Sequence, residues 1–262
     1  MTASVPEFTI RTISIDYNSL ESVQDCFDRY GEQIAAIIVE PVGANMGTVP
    51  PKPGFLQGLR DICDKYGSLL IFDEVITGFR MQADGAQGHF GVTPDLTTFG
   101  KIIGAGMPVG AYGGRREIME MVSPVGAVYQ AGTLSGNPVA MAAGIAQLTY
   151  LKEHPEVYTK LNKTADSFFA ELQKIVDESG RGYQVNHICS LGSMFCTTQE
   201  VYDYETAKTS DTKAYADYCN YMQNHGIYLA PAQFEAMFIS AAHTQEQLAQ
   251  TLETARNYFK NN

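Results

Sequence analysis

Apolar residues in the first half of the chain fall in short unbroken runs separated by stretches of helical spacing. Ala35-Ala36-Ile37-Ile38-Val39 is continuous and stops at Glu40-Pro41, and Ser68-Leu69-Leu70-Ile71-Phe72 stops in the same way at Asp73-Glu74. Unbroken runs of this length suit strands covered on both faces of a parallel sheet, where no solvent side imposes alternation. Between them Phe55, Leu56, Leu59, Ile62, Cys63 and Tyr66 recur at helical intervals, and Gly67 is placed to end that helix. Strand, helix, strand in this order predicts a right-handed parallel unit. Residues 95–99 read as a further strand, followed at once by Gly100 and Lys101, and 109–114 and 127–130 as two more. A stretch rich in Ala and Met predicts a helix from Asn137 to about Glu153.

The pattern then changes. Amphipathic spacing predicts helices over 161–176, 215–225 and 245–259, with short strand-like pieces at 193–197 and 228–230. The polar run 203–211 reads as a solvated connection. The expected fold class is therefore α/β, a mostly parallel sheet domain over 1–150 followed by a small α+β domain over 151–262.

Composition narrows the function. The chain has 262 residues, 45% of them hydrophobic and 18% charged, the mix of a globular protein with a sizeable core. A formal net charge of −11 repels phosphate backbones and anionic lipid, so neither a nucleic-acid nor a membrane partner is expected. One local basic pocket for an anionic cofactor remains compatible with it. No apolar run approaches the ~20 residues that span a bilayer, and residues 1–10 lack the basic start and apolar stretch of a secretory signal. Cys26, Cys63, Cys189, Cys196 and Cys219 are odd in number, widely spaced and outside any CxxC pair. Reduced thiols in a cytosol-like compartment, without metal, are the expectation.

Three polar residues sit just past strand ends: Glu40, Asp73 and Lys101. Open parallel sheets bind ligands outside the carboxyl ends of their strands. A lysine there that can shed its proton can form a Schiff base with an aldehyde. An aspartate on a neighbouring strand can keep a pyridine nitrogen protonated and so make the ring an electron sink. From spacing alone a lysine after a strand is ordinarily a solvated surface residue, and an aspartate there a turn or helix cap.

Longer segments carry the assignment further. Leu-Leu-Ile-Phe-Asp-Glu-Val-Ile-Thr-Gly-Phe-Arg over 69–80, with Pro-Asp-Leu-Thr-Thr-Phe-Gly-Lys-Ile-Ile-Gly-Ala-Gly-Met-Pro-Val-Gly-Ala over 94–111, resembles the signature of the class III pyridoxal-phosphate (PLP) aminotransferases. Residues 40–47, 112–119, 129–138, 226–236 and 242–244 resemble the aminomutase branch of that class. The resemblance runs through nearly the whole chain and is weakest at 1–30 and 175–215. It implies a PLP-dependent transferase of fold type I, with pyridoxal 5'-phosphate as cofactor and its pyridoxamine form in the cycle. It also implies a small amino-aldehyde substrate whose amino group moves within one molecule, a homodimer with shared active sites, and a cytoplasmic or plastid-stromal location.

Residue by residue, the resemblance makes Lys101 the Schiff-base lysine and proton shuttle, and Asp73 the partner of the pyridine nitrogen. Val75 would cover the ring face and Asn45 would reach toward the ring 3-hydroxyl. Thr133 would meet the phosphate across the dimer interface, and Glu235 would stand near the substrate. Local readings stay open beside these. Val75 is also a core position, Asn45 a turn residue beside Gly47, Glu235 a solvated side chain, and Thr133 or Ser135 a cap for the helix near Pro138.

Family members carry a substantial portion before the point where this chain begins, including the loop that cradles the cofactor phosphate. The expectation is thus an incomplete chain whose activity alone is in doubt. The rival readings are an ordinary class III aminotransferase working between two substrates, and a non-catalytic interaction module.

Overall fold

The unbroken apolar runs become the first two strands of a four-stranded sheet in the computed structural model, which describes residues 12–261. In chain order the elements are α1 (Leu20–Tyr30), β1 (Ala36–Val39), α2 (Phe55–Tyr66), β2 (Leu69–Asp73), α3 (Gly85–Phe90), β3 (Leu96–Phe99) and β4 (Ala111–Gly114). They continue with α4 (Arg116–Met119), α5 (Pro138–Glu153), α6 (Glu156–Glu178), β5 (Gln184–Ile188) and β6 (Leu191–Phe195). The last are α7 (Tyr204–Ala207), α8 (Thr212–Asn224), β7 (Met237–Phe238) and α9 (Gln245–Asn261). The first sheet runs β1-β2-β3-β4; the first three strands are parallel and β4 is antiparallel to β3. The second is an antiparallel sheet in the order β5-β6-β7.

The helix after β1 forms where the spacing places it. Phe55, Leu56, Leu59 and Cys63 of α2 are buried against Leu70 and Phe72 of β2. Gly67 closes α2 in the left-handed conformation at φ 70°, a backbone state that costs a glycine little. Helix α1, not expected from the sequence, adds Val23 and Phe27 to the same cluster.

Asp95 ties this half together. Its carboxylate accepts from Leu70 N at 2.7 Å, Arg60 Nη1 at 2.8 Å and Arg115 Nη1 at 2.9 Å, so one side chain joins β2, α2 and the end of β4. Burial pushes its pKa up, but the Leu70 N–H and the two guanidinium groups outweigh that and hold it below the usual carboxylate range.

In the second half α6, α8 and α9 pack Phe169, Leu172, Tyr218, Met222 and Phe259 around Met194 of β6. A separate cluster joins the halves: Val42, Ala44, Ile76 and Met81 meet Leu191 and Ala236. Helix α6 also reaches back, with Tyr158 Oη donating to Phe79 O at 3.0 Å and Asn162 Nδ2 to Met81 O at 3.1 Å.

Several local expectations are corrected. Residues 127–130 form only an isolated parallel bridge, Val122 to Val128, because the 121–123 turn already takes the Val128 N–H and C=O. Residues 228–230 are not a strand; the Ala230 carbonyl instead accepts from Tyr215 Oη at 2.9 Å. Strand β6 starts two residues before the expected 193–197, and polar β5 was not foreseen. The 203–211 connection contains α7, closed by a capping box between Asp203 and Thr206, and Asp211 caps α8. Coverage of both sheet faces holds for Leu70 and Phe72 but not for Ile38, which is 65% exposed on the edge strand β1.

Candidate active site

Parallel pairing brings the three polar strand ends side by side. Val39 is in register with Phe72, and Asp73 with Thr98, so Asp73 ends its strand while Glu40 and Lys101 follow the carboxyl ends of the strands on either side. This is where a parallel sheet leaves a crevice for a ligand.

Asp73 is half-buried and held on one side. Its Oδ1 accepts from Val75 N at 3.0 Å and from Thr98 Oγ1 at 3.2 Å, while Oδ2 takes no hydrogen bond among the described residues. One oxygen is fixed and the other is left to accept from a ligand. Its neighbour Glu74 points the other way and is fully buried. Glu74 accepts from Ala86 N at 2.6 Å, Gln87 N at 3.2 Å, Gln87 Nε2 at 3.1 Å and Thr77 Oγ1 at 3.1 Å. These four donors compensate a carboxylate without a cation and fix the turn that carries Val75.

Lys101 opens a short 3-10 turn, Lys101–Gly104, directly after β3. Its φ is 48°, a left-handed conformation that an L side chain adopts at a strain of roughly 1–3 kcal/mol. The side chain is exposed, and its ammonium makes no ion pair among the described residues. Gly100 precedes it where a Cβ would stand 3.2 Å from Val75 Cγ1, so the missing side chain leaves room for Val75 beside the lysine.

Asn45 lies in a tight loop closed by paired backbone bonds between Gly43 and Val49, at 3.0 and 2.8 Å. Glu40 holds the loop from beneath, accepting from Ala44 N at 2.9 Å and Asn45 Nδ2 at 2.5 Å. Gly47 has φ 79°, and a Cβ there would strike the Phe195 ring at 2.4 Å. Gly47 N donates to Phe234 O at 2.8 Å, and Ser193 Oγ donates to Glu235 O at 3.3 Å while accepting from Thr48 N at 2.9 Å. The loop that presents Asn45 is therefore bonded to the segment that presents Glu235.

The structure thus gathers Asp73, Val75 and Lys101 at one point and links Asn45 to Glu235 through backbone bonds. Thr133 stands apart, exposed on the 131–136 loop with no side-chain hydrogen bond among the described residues. Asn137, not Thr133 or Ser135, caps α5, its side chain accepting from Val139 N and Ala140 N at 3.1 and 3.2 Å. Sequence reasoning missed Thr98 and Glu74 as supports of the site. The only signal was the polar character of both residues beside apolar strand positions.

A lysine without an ion pair and an aspartate with one oxygen unbonded among the described residues, with Val75 beside Gly100, suit a cofactor carrying an aldehyde and a basic ring nitrogen. Residues 2–257 match the family described as Aminotransferase class-III, and the chain belongs to that family. It is 59% identical, over 99% of its length, to glutamate-1-semialdehyde 2,1-aminomutase 1 of Lachnoclostridium phytofermentans, and spans 62% of that relative. An omega-transaminase from Sphaerobacter thermophilus superposes with a TM-score of 0.90 at 29% identity, covering 99% of this chain and 60% of the other. A transaminase solved with PLP bound superposes with a TM-score of 0.86 at 26% identity, covering 99% of this chain and 60% of the other.

Proposed function

We propose that the chain acts in a glutamate-1-semialdehyde 2,1-aminomutase that uses pyridoxal 5'-phosphate to rearrange glutamate 1-semialdehyde into 5-aminolevulinate, a tetrapyrrole precursor. The observation that carries this reading is the placement of Asp73 and Lys101 at the carboxyl ends of adjacent parallel strands, one oxygen and one ammonium left unpaired among the described residues. The cofactor supplies an electron sink that lets one amino group leave the substrate while another enters.

Asp73 Oδ2 would accept the pyridine N–H and keep that nitrogen protonated, an ionic hydrogen bond of roughly 1.5–3 kcal/mol. Lys101 Nζ would hold the cofactor through its aldehyde and would serve as the general acid–base at the substrate carbons. Val75 bears on the ring face, and Asn45, braced by Glu40, reaches the ring 3-hydroxyl. Thr133 donates to the phosphate of a second subunit, so the working unit is a homodimer. That role suits an exposed hydroxyl with no side-chain hydrogen bond among the described residues. Glu235 faces the substrate. Residues 1–150 carry the cofactor, residues 151–262 form the small C-terminal domain, and the protein works in the cytoplasm, or in the plastid stroma of a photosynthetic eukaryote. Among the described residues no helix is long and apolar enough to cross a membrane.

The test is to supply the full-length protein with PLP and glutamate 1-semialdehyde, without any second amino donor or acceptor, and to follow 5-aminolevulinate. Turnover under those conditions, with Asp73→Asn slower by roughly 10- to 150-fold, supports the reading. Amino transfer that requires an added keto acid would replace it with an intermolecular transaminase.

A further inference from the structure

Arg80 follows the turn after β2 and has no anionic partner among the described residues. Its Nε donates to Ile76 O at 2.8 Å, and its guanidinium lies 4.3 Å over the Phe238 ring. It forms no ion pair among the described residues. Burial pulls its pKa down to about 10, as expected of a cation that has lost water without gaining a counter-charge.

A cavity of about 240 Å³ opens beside it, between the turn after Lys101, the facing helices α5 and α6, and the second sheet. Ser190, fully buried in the β5–β6 hairpin, lines the same cavity, and its Oγ has no hydrogen-bond partner in the structure. Gln147 and Ser240 add polar groups to the wall, and among the described residues no Asp or Glu lines it, in a chain of net charge −11. Tyr158 lines it too, its hydroxyl already donating to Phe79 O at 3.0 Å, and the rest is apolar, including Ile102, Leu161 and Ile239.

We propose that this cavity binds a small aliphatic carboxylate, its oxygens held by the Arg80 guanidinium and the Ser190 hydroxyl and its short chain by Ile102, Leu161 and Ile239. The planar fork of a guanidinium matches a carboxylate with two parallel hydrogen bonds. At ~30 Å³ for each water-sized occupant, the volume admits several heavy atoms. Water alone would satisfy Ser190 but leave the guanidinium without a counter-charge. A phosphate dianion would leave most of its strongly hydrated oxygens against apolar walls. Because Ile102 follows Lys101, an occupant rests against the 3-10 turn that begins at Lys101. The inference stands on Arg80 and Ser190 alone and is independent of the role given to Lys101.

Butyrate is the probe. Calorimetric titration and thermal melting of the purified protein should show saturable butyrate binding at constant ionic strength. Chloride, phosphate, butylammonium and n-butanol should give none. Arg80→Met should weaken butyrate at least about tenfold and Ser190→Ala several-fold, the losses expected for a charge-assisted and a neutral hydrogen bond. If Arg80→Met does not fold, Arg80→Lys, which keeps the charge but loses the fork, should also bind more weakly. The proposal is overturned if butyrate shows no saturable binding, if chloride or phosphate binds equally well, or if the folded variants bind as the parent does.

Discussion

The Thr98 hydroxyl donates to Asp73 Oδ1 across 3.2 Å and so ties the residue that ends β2 to the strand that delivers Lys101. Asp73 and Lys101 need not touch to be positioned together. The parallel register sets their separation, and the Thr98 bond sets the carboxylate plane.

Thr98→Val keeps the branched strand residue and removes the donor. Asp73 Oδ1 then retains only the Val75 N–H at 3.0 Å, and the free oxygen is no longer held in one direction. PLP should bind several-fold more weakly, since a hydrogen bond to a charged group contributes roughly 1.5–3 kcal/mol and part of it is recovered by water. Fluorescence titration with PLP checks the affinity, and a melting temperature within a few degrees of the parent shows that the fold is intact.

The left-handed backbone at Lys101 gives a stability prediction separate from activity. At φ 48° a glycine is nearly unstrained, whereas alanine keeps the Cβ that causes the strain. Lys101→Gly should therefore be more stable than Lys101→Ala by about 1 kcal/mol, even after the greater freedom of glycine in the unfolded chain. Urea unfolding of the two variants reads the difference, and both should lose covalent attachment of the cofactor.

Asp95 gives the pH dependence. Its folded pKa lies below its unfolded value of about 3.9. The stability it contributes is fully present above that unfolded value and is lost as pH falls through the folded one. Asp95→Asn should lower stability at neutral pH by roughly 1–3 kcal/mol, because it takes one of the two carboxylates from Arg60, which keeps only the exposed Asp64. It should also flatten the loss of stability below about pH 4. Urea denaturation from pH 3 to 7 in parent and variant measures both effects.

Much of the sheet could be read from the sequence because β1, β2 and β3 are marked by apolar runs that end in Glu40, Asp73 and Gly100-Lys101. Long amphipathic helices were equally plain, since α6 and α9 repeat their apolar face over many turns. The second sheet was harder. Strand β6 is buried at all five residues yet contains Gly192 and Ser193, chosen for contact with the Phe169 ring and with Thr48 rather than for apolar character. Residues 127–130 and 228–230 have the composition of strands, but strand formation depends on a neighbouring backbone that the local sequence does not encode. The supporting bonds from Thr98 to Asp73 and from Ala86 and Gln87 to Glu74 arise from register and turn geometry. Roles for Asn45, Thr133 and Glu235 came from family resemblance, since nothing in their local sequence separates a cofactor contact from a turn or surface residue.

Lys101 is the residue proposed to join the cofactor. Incubating the protein with PLP, reducing with borohydride and mapping the peptides will show where the pyridoxyl group is fixed. The prediction is a single labelled site at Lys101, lost in Lys101→Ala. A label distributed over surface lysines such as Lys52 and Lys65, or one that survives Lys101→Ala, would contradict the account.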